Sequence, residues 1–328
     1  MTGSTASPAS TASPAPSVLV TGGSGFIGSA LVNRLLAEGV AVRVADLAPF
    51  PSGTVACVTG DLRRSEVLEE ALTPGTDAVI HLAALTSVLE SVKAPEDVYR
   101  TNLDMSAALL ERCRALGVPS LVMASTNAVV GAGLVAARED GAGRRPGTGR
   151  AAIDETSPLL PLTPYGATKA AAEMLMSAYA ACYGMSACAV RLTNVYGPGM
   201  ANKDSIVPRL MRATLSGSAV QIYGDGLQVR DYLHVDDAVA AFVLAWRQGL
   251  SGPLTIGSGR STSVLDLVGA TREATGRPLV AEHVPPRQGE MGAVVVDIGR
   301  ARHLGWEPRV GLPEGLAGAW DDFRHREG

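Results

Sequence analysis

From Val18 onward the chain alternates short apolar runs with longer segments whose apolar residues recur every three or four positions. Val18-Leu19-Val20 predicts a strand ending at Thr21. The segment from Gly25 to about Glu38 sets Ile27, Leu31, Leu35 and Leu36 on one helical face and stops at Gly39. Valine-rich Ala41 to Ala45 predicts a second strand ending at Asp46, and Val55 to Asp61 a third that again ends on an acid, followed by a helix over Arg64 to Leu72. Ala78-Val79-Ile80 leads as a strand into His81-Leu82-Ala83-Ala84. A long helix covers about Pro95 to Leu116, Ser120 to Ala124 is strand-like again, and Pro164 opens a helix running to about Tyr183. Strands that are apolar without alternation are buried on both faces, so their interleaving with helices predicts a doubly wound α/β fold around a parallel sheet.

Composition changes this picture little. With 328 residues, 46% of them hydrophobic, the chain can bury the core of one large α/β unit or two fused lobes. A net charge of -4 lacks the basic surplus of a general nucleic-acid binder. Cys57, Cys113, Cys182 and Cys188 show no metal or disulfide spacing and read as small buried side chains in a reducing compartment. No metal site is expected. Residues 1–16, rich in Ser, Thr, Ala and Pro, carry neither a basic nor an apolar leader signal and read as a disordered tail. With no apolar run long enough to span a bilayer, no membrane role is expected and the expected location is the cytoplasm. Residues 131–150 hold too many glycines and arginines for a regular element, which leaves a lid or a flexible excursion.

Chemistry enters at Gly22-Gly23-Ser24-Gly25-Phe26-Ile27-Gly28. Between a strand and a helix, glycines at 22, 25 and 28 allow a tight turn, a close backbone approach to a pyrophosphate, and tight packing of the helix whose N-terminus faces the negative charge. Glycine spacing alone says little. The flanking strand and helix, with Asp46 ending the second strand, make it a Rossmann dinucleotide site. A carboxylate at 46 accepts hydrogen bonds from ribose hydroxyls and repels a 2′-phosphate, favouring NAD, and residues 47–50 offer no arginine for such a phosphate. Asp61 and Leu62 suit the edge and face of an adenine, or equally a helix cap and a core residue.

Tyr165 and Lys169 stand four apart at the start of a helix and share one face. An ammonium beside a phenol stabilises the phenolate and makes a general base. At this point the chain resembles the extended short-chain dehydrogenase/reductase family of nucleotide-sugar epimerases and dehydratases. TGGSGFIG (21–28), Asp46, Asp61-Leu62, HLAA (81–84), YGATK (165–169), RLTNVYGPG (191–199), IYGDGLQVRDYLHVDD (222–237), PPRQGE (285–290) and DIGRARHLGWEP (297–308) fall in family order, and the likeness extends from Val18 to about Trp320.

The resemblance implies a Rossmann domain at 17–190, returning at about 219–258, and a smaller α/β domain for the nucleotide sugar at 191–218 and 259–325. NAD would contact Gly22, Gly25, Phe26, Ile27, Gly28, Asp46, Asp61, Leu62, Leu82, Ala83, Ala84, Tyr165 and Lys169. Tyr165 would act as base, Lys169 would bind the nicotinamide ribose, and Thr126 would hydrogen-bond the reacting hydroxyl. Thr86, Ser87, Asn194, Arg230 and Arg287 would meet the substrate, the two arginines at its diphosphate, and Ser205 to Leu210 would lie over the base. For Arg230 an ion pair with Asp231 or Asp236 is the plainer reading. Arg191 reads as structural, His81 and His234 as packing or turn residues, and Asp236 and Asp237 as caps of a helix beginning near Ala238. The resemblance also implies a homodimer built from helices 95–116 and 165–183, with Ala167, Ala170, Ala171 and Ala178 at the seam.

Family dehydratases carry Asp-Glu directly after the threonine; here Asn127 and Ala128 stand there and neither transfers protons. A UDP-glucose/galactose-type 4-epimerase is therefore expected. Leu89 replaces an arginine often found in glucuronate-specific relatives, though Arg138, Arg144, Arg145 or Arg150 could serve a uronate. Val130 replaces a usual tyrosine, and Val294 falls where related enzymes vary the bulk that limits N-acetyl substituents. A UDP-glucuronate 4-epimerase, an NDP-4-ketosugar reductase and an NAD-binding protein without turnover are the alternatives.

Overall fold

The computed structural model describes residues 16–131, 152–285 and 294–327. The expected tail before Pro16, the stretch 132–151 with its arginines, and Arg287 lie outside the described residues. Thirteen strands are formed by the described residues: β1 (Ser17–Thr21), β2 (Ala41–Asp46), β3 (Ala56–Thr59), β4 (Ala78–His81), β5 (Ser120–Thr126), β6 (Ser186–Leu192), β7 (Asn194–Tyr196), β8 (Val220–Tyr223), β9 (Val229–Arg230), β10 (Tyr232–His234), β11 (Gly252–Ile256), β12 (Thr262–Ser263) and β13 (Ala281–Val284). Seven of them make one parallel sheet in the order β11-β6-β5-β4-β1-β2-β3. The others pair two by two, β10 with β7, β12 with β9 and β13 with β8.

The unbroken apolar runs have a direct explanation. Val18 and Val20 belong to one buried cluster with Ile80, Val122 and Val190, whereas Leu19 belongs to another with Val79, Leu121 and Ala189. Successive residues of a strand face opposite sides, and both sides are dry. The first cluster lies under α1 (Phe26–Ala37) and α8 (Val235–Arg247); the second lies under α2 (Ser65–Ala71), α5 (Met105–Leu116) and α6 (Pro164–Tyr183). A third gathers β8 with α7 (Ile206–Ser216), α9 (Val264–Thr275) and α11 (Leu312–Glu327). The remaining helices are short: α3 (Val88–Lys93), α4 (Pro95–Tyr99) and α10 (Gly299–His303).

Four local expectations change. On α1 the buried face is Gly28, Leu31, Val32 and Leu35, and Leu36 is exposed. The helix expected over 95–116 is interrupted by a π-turn, Arg100–Asp104, between α4 and α5. The extra residue in that turn faces Asn102 inward, where its carboxamide accepts from Leu85 N at 2.8 Å and donates to Leu85 O at 2.9 Å. α8 begins at Val235 with the His234 ring as its cap, and Asp237 instead accepts from the backbone of Arg309 and Val310 at 2.9 and 3.0 Å. Ala170 is buried in the first cluster, while Ala167 and Ala178 remain exposed.

From β1 the chain proceeds to β2 and β3 on one side, whereas β4, the other neighbour of β1, leads to β5 and β6. The carboxyl ends of β1 and β4 therefore flank a topological switch point, where a crevice opens in doubly wound sheets.

Candidate active site

At the end of β1, Gly22 turns the chain with a φ of +71°, which favours glycine, and donates to Ala45 O at 2.8 Å. A Cβ on Gly22 would stand 2.6 Å from Ala83 N, and one on Gly28 would stand 2.0 Å from Gly22 O. Loop, helix and the segment after β4 thus meet backbone to backbone. Gly25 caps α1 with no side chain across its first N–H groups, which leaves that positive end open to an anion.

Asp46, ending β2, accepts from Ser24 N at 2.9 Å and from Ala48 N at 3.2 Å. Asp61 receives Arg63 in a fork, Nε to Oδ1 at 3.0 Å and Nη2 to Oδ2 at 2.5 Å, and this guanidinium holds its carboxyl below the usual range. Asp61 thus forms a turn with Arg63 and does not cap α2, whose cap is Arg64. Arg63 lines the same cavity, a position that nothing in the motif spacing had singled out.

At the other end, β5 delivers Thr126 and α6 delivers Tyr165 and Lys169. Thr163 accepts from Gly166 N at 3.2 Å and Pro164 occupies the first turn, so the helix starts just ahead of the tyrosine. Gly166 brings that start against the turn after Thr126: a Cβ there would lie 2.6 Å from Ala128 O. The Thr126 side chain stands beside the Tyr165 phenol on the cavity wall. Burial pushes the phenol up to about 12, and the neighbouring Thr126 hydroxyl opposes that rise. Burial draws the Lys169 ammonium down to about 8, with Glu173 opposing. His81 bridges Thr21 Oγ1 (2.7 Å) and Ser106 Oγ (3.0 Å); burial first, then the Lys169 charge, lowers it to about 3, so it is a neutral strut. Arg191 is structural as expected, buried against Glu173.

One cavity of about 1000 Å³ joins the two ends, at the top of the size range usual for small-molecule sites. All the expected cofactor contacts line it, from Gly22, Gly25, Phe26, Ile27 and Gly28 through Asp46, Asp61, Leu62, Leu82, Ala83 and Ala84 to Tyr165 and Lys169, together with Thr86, Ser87 and Thr126. Ser205 lines it too, at the cap of α7, beside Lys203 and Arg209. Asn194 and Arg230 are not among its walls: Asn194 Nδ2 donates to Asp231 O at 3.1 Å, and Arg230 Nη1 donates to Val229 O at 2.9 Å. Val130 and Val294 are both buried in the core. No cluster of three metal-ligating side chains occurs among the described residues.

Residues 18–257 match the family model described as the NAD dependent epimerase/dehydratase family. A UDP-glucose 4-epimerase from Corynebacterium glutamicum is 33% identical, over 89% of this chain and 90% of its own. A dTDP-glucose 4,6-dehydratase from Streptomyces griseus is 34% identical, over 92% of this chain and 93% of its own. Among solved structures, MoeE5 in complex with UDP-glucose and NAD matches at a TM-score of 0.82 and 36% identity, covering 95% of this chain and all of that one, and it has also been solved with UDP-glucuronic acid and NAD. Fold, motif order and these likenesses agree: the chain belongs to the NAD dependent epimerase/dehydratase family.

Proposed function

We propose that this protein is an NAD-dependent 4-epimerase of UDP-hexoses of the glucose/galactose type. The observation that carries the reading is the meeting of Tyr165, Thr126 and Lys169 at one end of a cavity whose other end is the glycine loop. The loop fits NAD: added Cβ atoms at Gly22 and Gly28 would close it, and Asp46 stands where ribose hydroxyls need an acceptor. When bound, NAD supplies the acceptor that takes hydride from the sugar C4 and returns it. Tyr165 withdraws the proton from the C4 hydroxyl and later gives it back. Thr126 steadies that oxygen and the phenolate through its hydroxyl, and the Lys169 ammonium lowers the cost of the phenolate in a dry site. Between the two transfers the keto-sugar presents its other face, and the product is the C4 epimer.

Overall identity does not separate epimerase from dehydratase here, since the two relatives match equally well. Asn127 and Ala128 favour the epimerase: elimination of water needs an acid and a base, which the resemblance to family dehydratases places directly after Thr126, and these side chains supply neither. The nucleotide end falls to Lys203, Ser205 and Arg209 beside the third core, which supports the division into a cofactor domain and a smaller sugar-nucleotide domain. Reducing conditions suit the four free cysteines, and NAD and UDP-sugars are pools of the cytoplasm.

A second reading, a UDP-glucuronate 4-epimerase, is favoured by the likeness to MoeE5, which has been solved with UDP-glucuronic acid and NAD. A second copy of the chain would cover Tyr99, Met174, Ala178 and Tyr183, exposed along α4 and α6, which supports a homodimer. Purified protein incubated with UDP-glucose, UDP-galactose, and their uronic and N-acetyl forms, without added cofactor, is expected to yield C4 epimers detectable by NMR. Interconversion of none of them sinks the reading, and net consumption of added NADH would replace it with a ketoreductase.

A further inference from the structure

Three charged side chains lie buried in a row behind Tyr165: Lys169 is 2%, Glu173 5% and Arg191 3% exposed. Lys169 and Glu173 stand one turn apart on the inner face of α6. Arg191, from β6, forks onto Glu173 with Nη2 to Oε2 at 2.8 Å and Nε to Oε1 at 3.2 Å, while its Nη1 reaches Asp154 O at 3.4 Å. Ser125, beside Thr126 on β5, donates its hydroxyl to Glu173 Oε1. Glu173 thereby ties the helix carrying Tyr165 and Lys169 to the strand carrying Thr126.

We propose that Glu173 is a positioning residue for Lys169: its carboxylate, locked by Arg191 and Ser125, supplies the buried negative charge that keeps the ammonium protonated and registers α6 on β5. This rests on the assignment of Tyr165 and Lys169 as the catalytic pair. A buried ammonium without an anion nearby sheds its proton, and a neutral amine cannot stabilise a phenolate. Packing alone does not call for the ion pair, since apolar side chains of similar volume often serve as well or better. Few other titratable groups compete for the role. Tyr165 shares the helix, His81 faces Lys169 from β4 as a neutral ring, and Arg191 stands behind Glu173. The π-turn and α5 contribute Asn102 and Ser106, and β5 contributes Ser125 and Thr126, all uncharged.

The chain has three lysines, Lys93, Lys169 and Lys203. Protein labelled with carbon-13 at the lysine ε-carbon therefore gives three titrations by NMR, and Lys169→Met identifies the buried one. In Glu173→Gln the Lys169 midpoint is expected to fall by about one pH unit or more, the size of shift a nearby opposite charge causes, with Lys93 and Lys203 unmoved. The basic limb of the kcat profile moves acidward with it. Glu173→Gln strands the Arg191 charge and endangers folding; Glu173→Gln/Arg191→Met removes both charges, and there too the midpoint falls. An unchanged Lys169 midpoint in either folded variant overturns the proposal. Absence of turnover in the unaltered protein counts against the epimerase reading alone, because the titration needs no substrate.

Discussion

Tyr165 and Thr126 come from different elements and meet at one end of the cavity, so each is testable by a single substitution. Tyr165→Phe keeps the buried ring and removes the proton carrier. Its kcat is expected to drop by about 10²–10⁴ while NAD copurifies unchanged, as turnover and absorbance of released cofactor will show. The pH profile follows from Lys169. Its proton is held below about 8 and lost above, so kcat should fall as pH rises through about 8. A kcat flat to pH 10 would contradict the role given to the ammonium. His81 acts on stability in the opposite range. Its ordinary value of 6.5 is lowered to about 3 in the fold, so below 6.5 the unfolded chain takes up a proton that the folded one refuses. Stability is thus full above 6.5 and declines toward 3. Calorimetry should show the melting temperature falling on the order of 5 °C between pH 6.5 and 4.5, with a shallower fall in His81→Gln.

Elements were legible wherever local pattern and local structure agree. The helix starting at Pro164 was readable because proline suits a first helical turn, and α6 spans Pro164–Tyr183. The π-turn was not, since Arg100–Asp104 contains no glycine or proline and its sequence continues the helical periodicity. What selects the turn is distant: Asn102 must reach the backbone of Leu85 on the cavity wall. The glycine loop shows the converse. Glycine spacing suggested close approach, and the contact of Gly28 with Gly22 O supplies the reason. Gly28→Ala is expected to cost about 1–3 kcal/mol in stability by overpacking and to yield protein without bound NAD, checked by denaturant melts and cofactor release. Retention of full NAD occupancy would show that the helix can withdraw without disturbing the loop.

At the scale of the whole molecule, the switch point between β1 and β4 places the glycine loop and the tyrosine–threonine pair on one rim of the sheet. Met174 and Ala178 are exposed on α6, the face that the proposed homodimer would cover. Met174→Lys/Ala178→Arg is expected to convert the protein to monomers, read by sedimentation or light scattering, without loss of cofactor. An unaltered dimer would move the interface elsewhere.

The order of motifs along the chain was enough to mark the parallel α/β fold and a dinucleotide loop, which depend on residue types held at short spacing, and the family resemblance singled out Tyr165, Lys169 and Thr126 as its candidate chemistry. Asn127 and Ala128 likewise disfavoured elimination from the sequence alone, because the resemblance places the dehydratase acid and base at those two positions and neither side chain transfers protons. Only the tertiary structure decided which distant charges stand at the candidate site. It set Asn194 and Arg230 outside the cavity walls, brought Arg63 and Lys203 into them, and aligned Glu173 behind Lys169. Those placements arise from packing between elements far apart in the chain, and residue spacing carries no record of them.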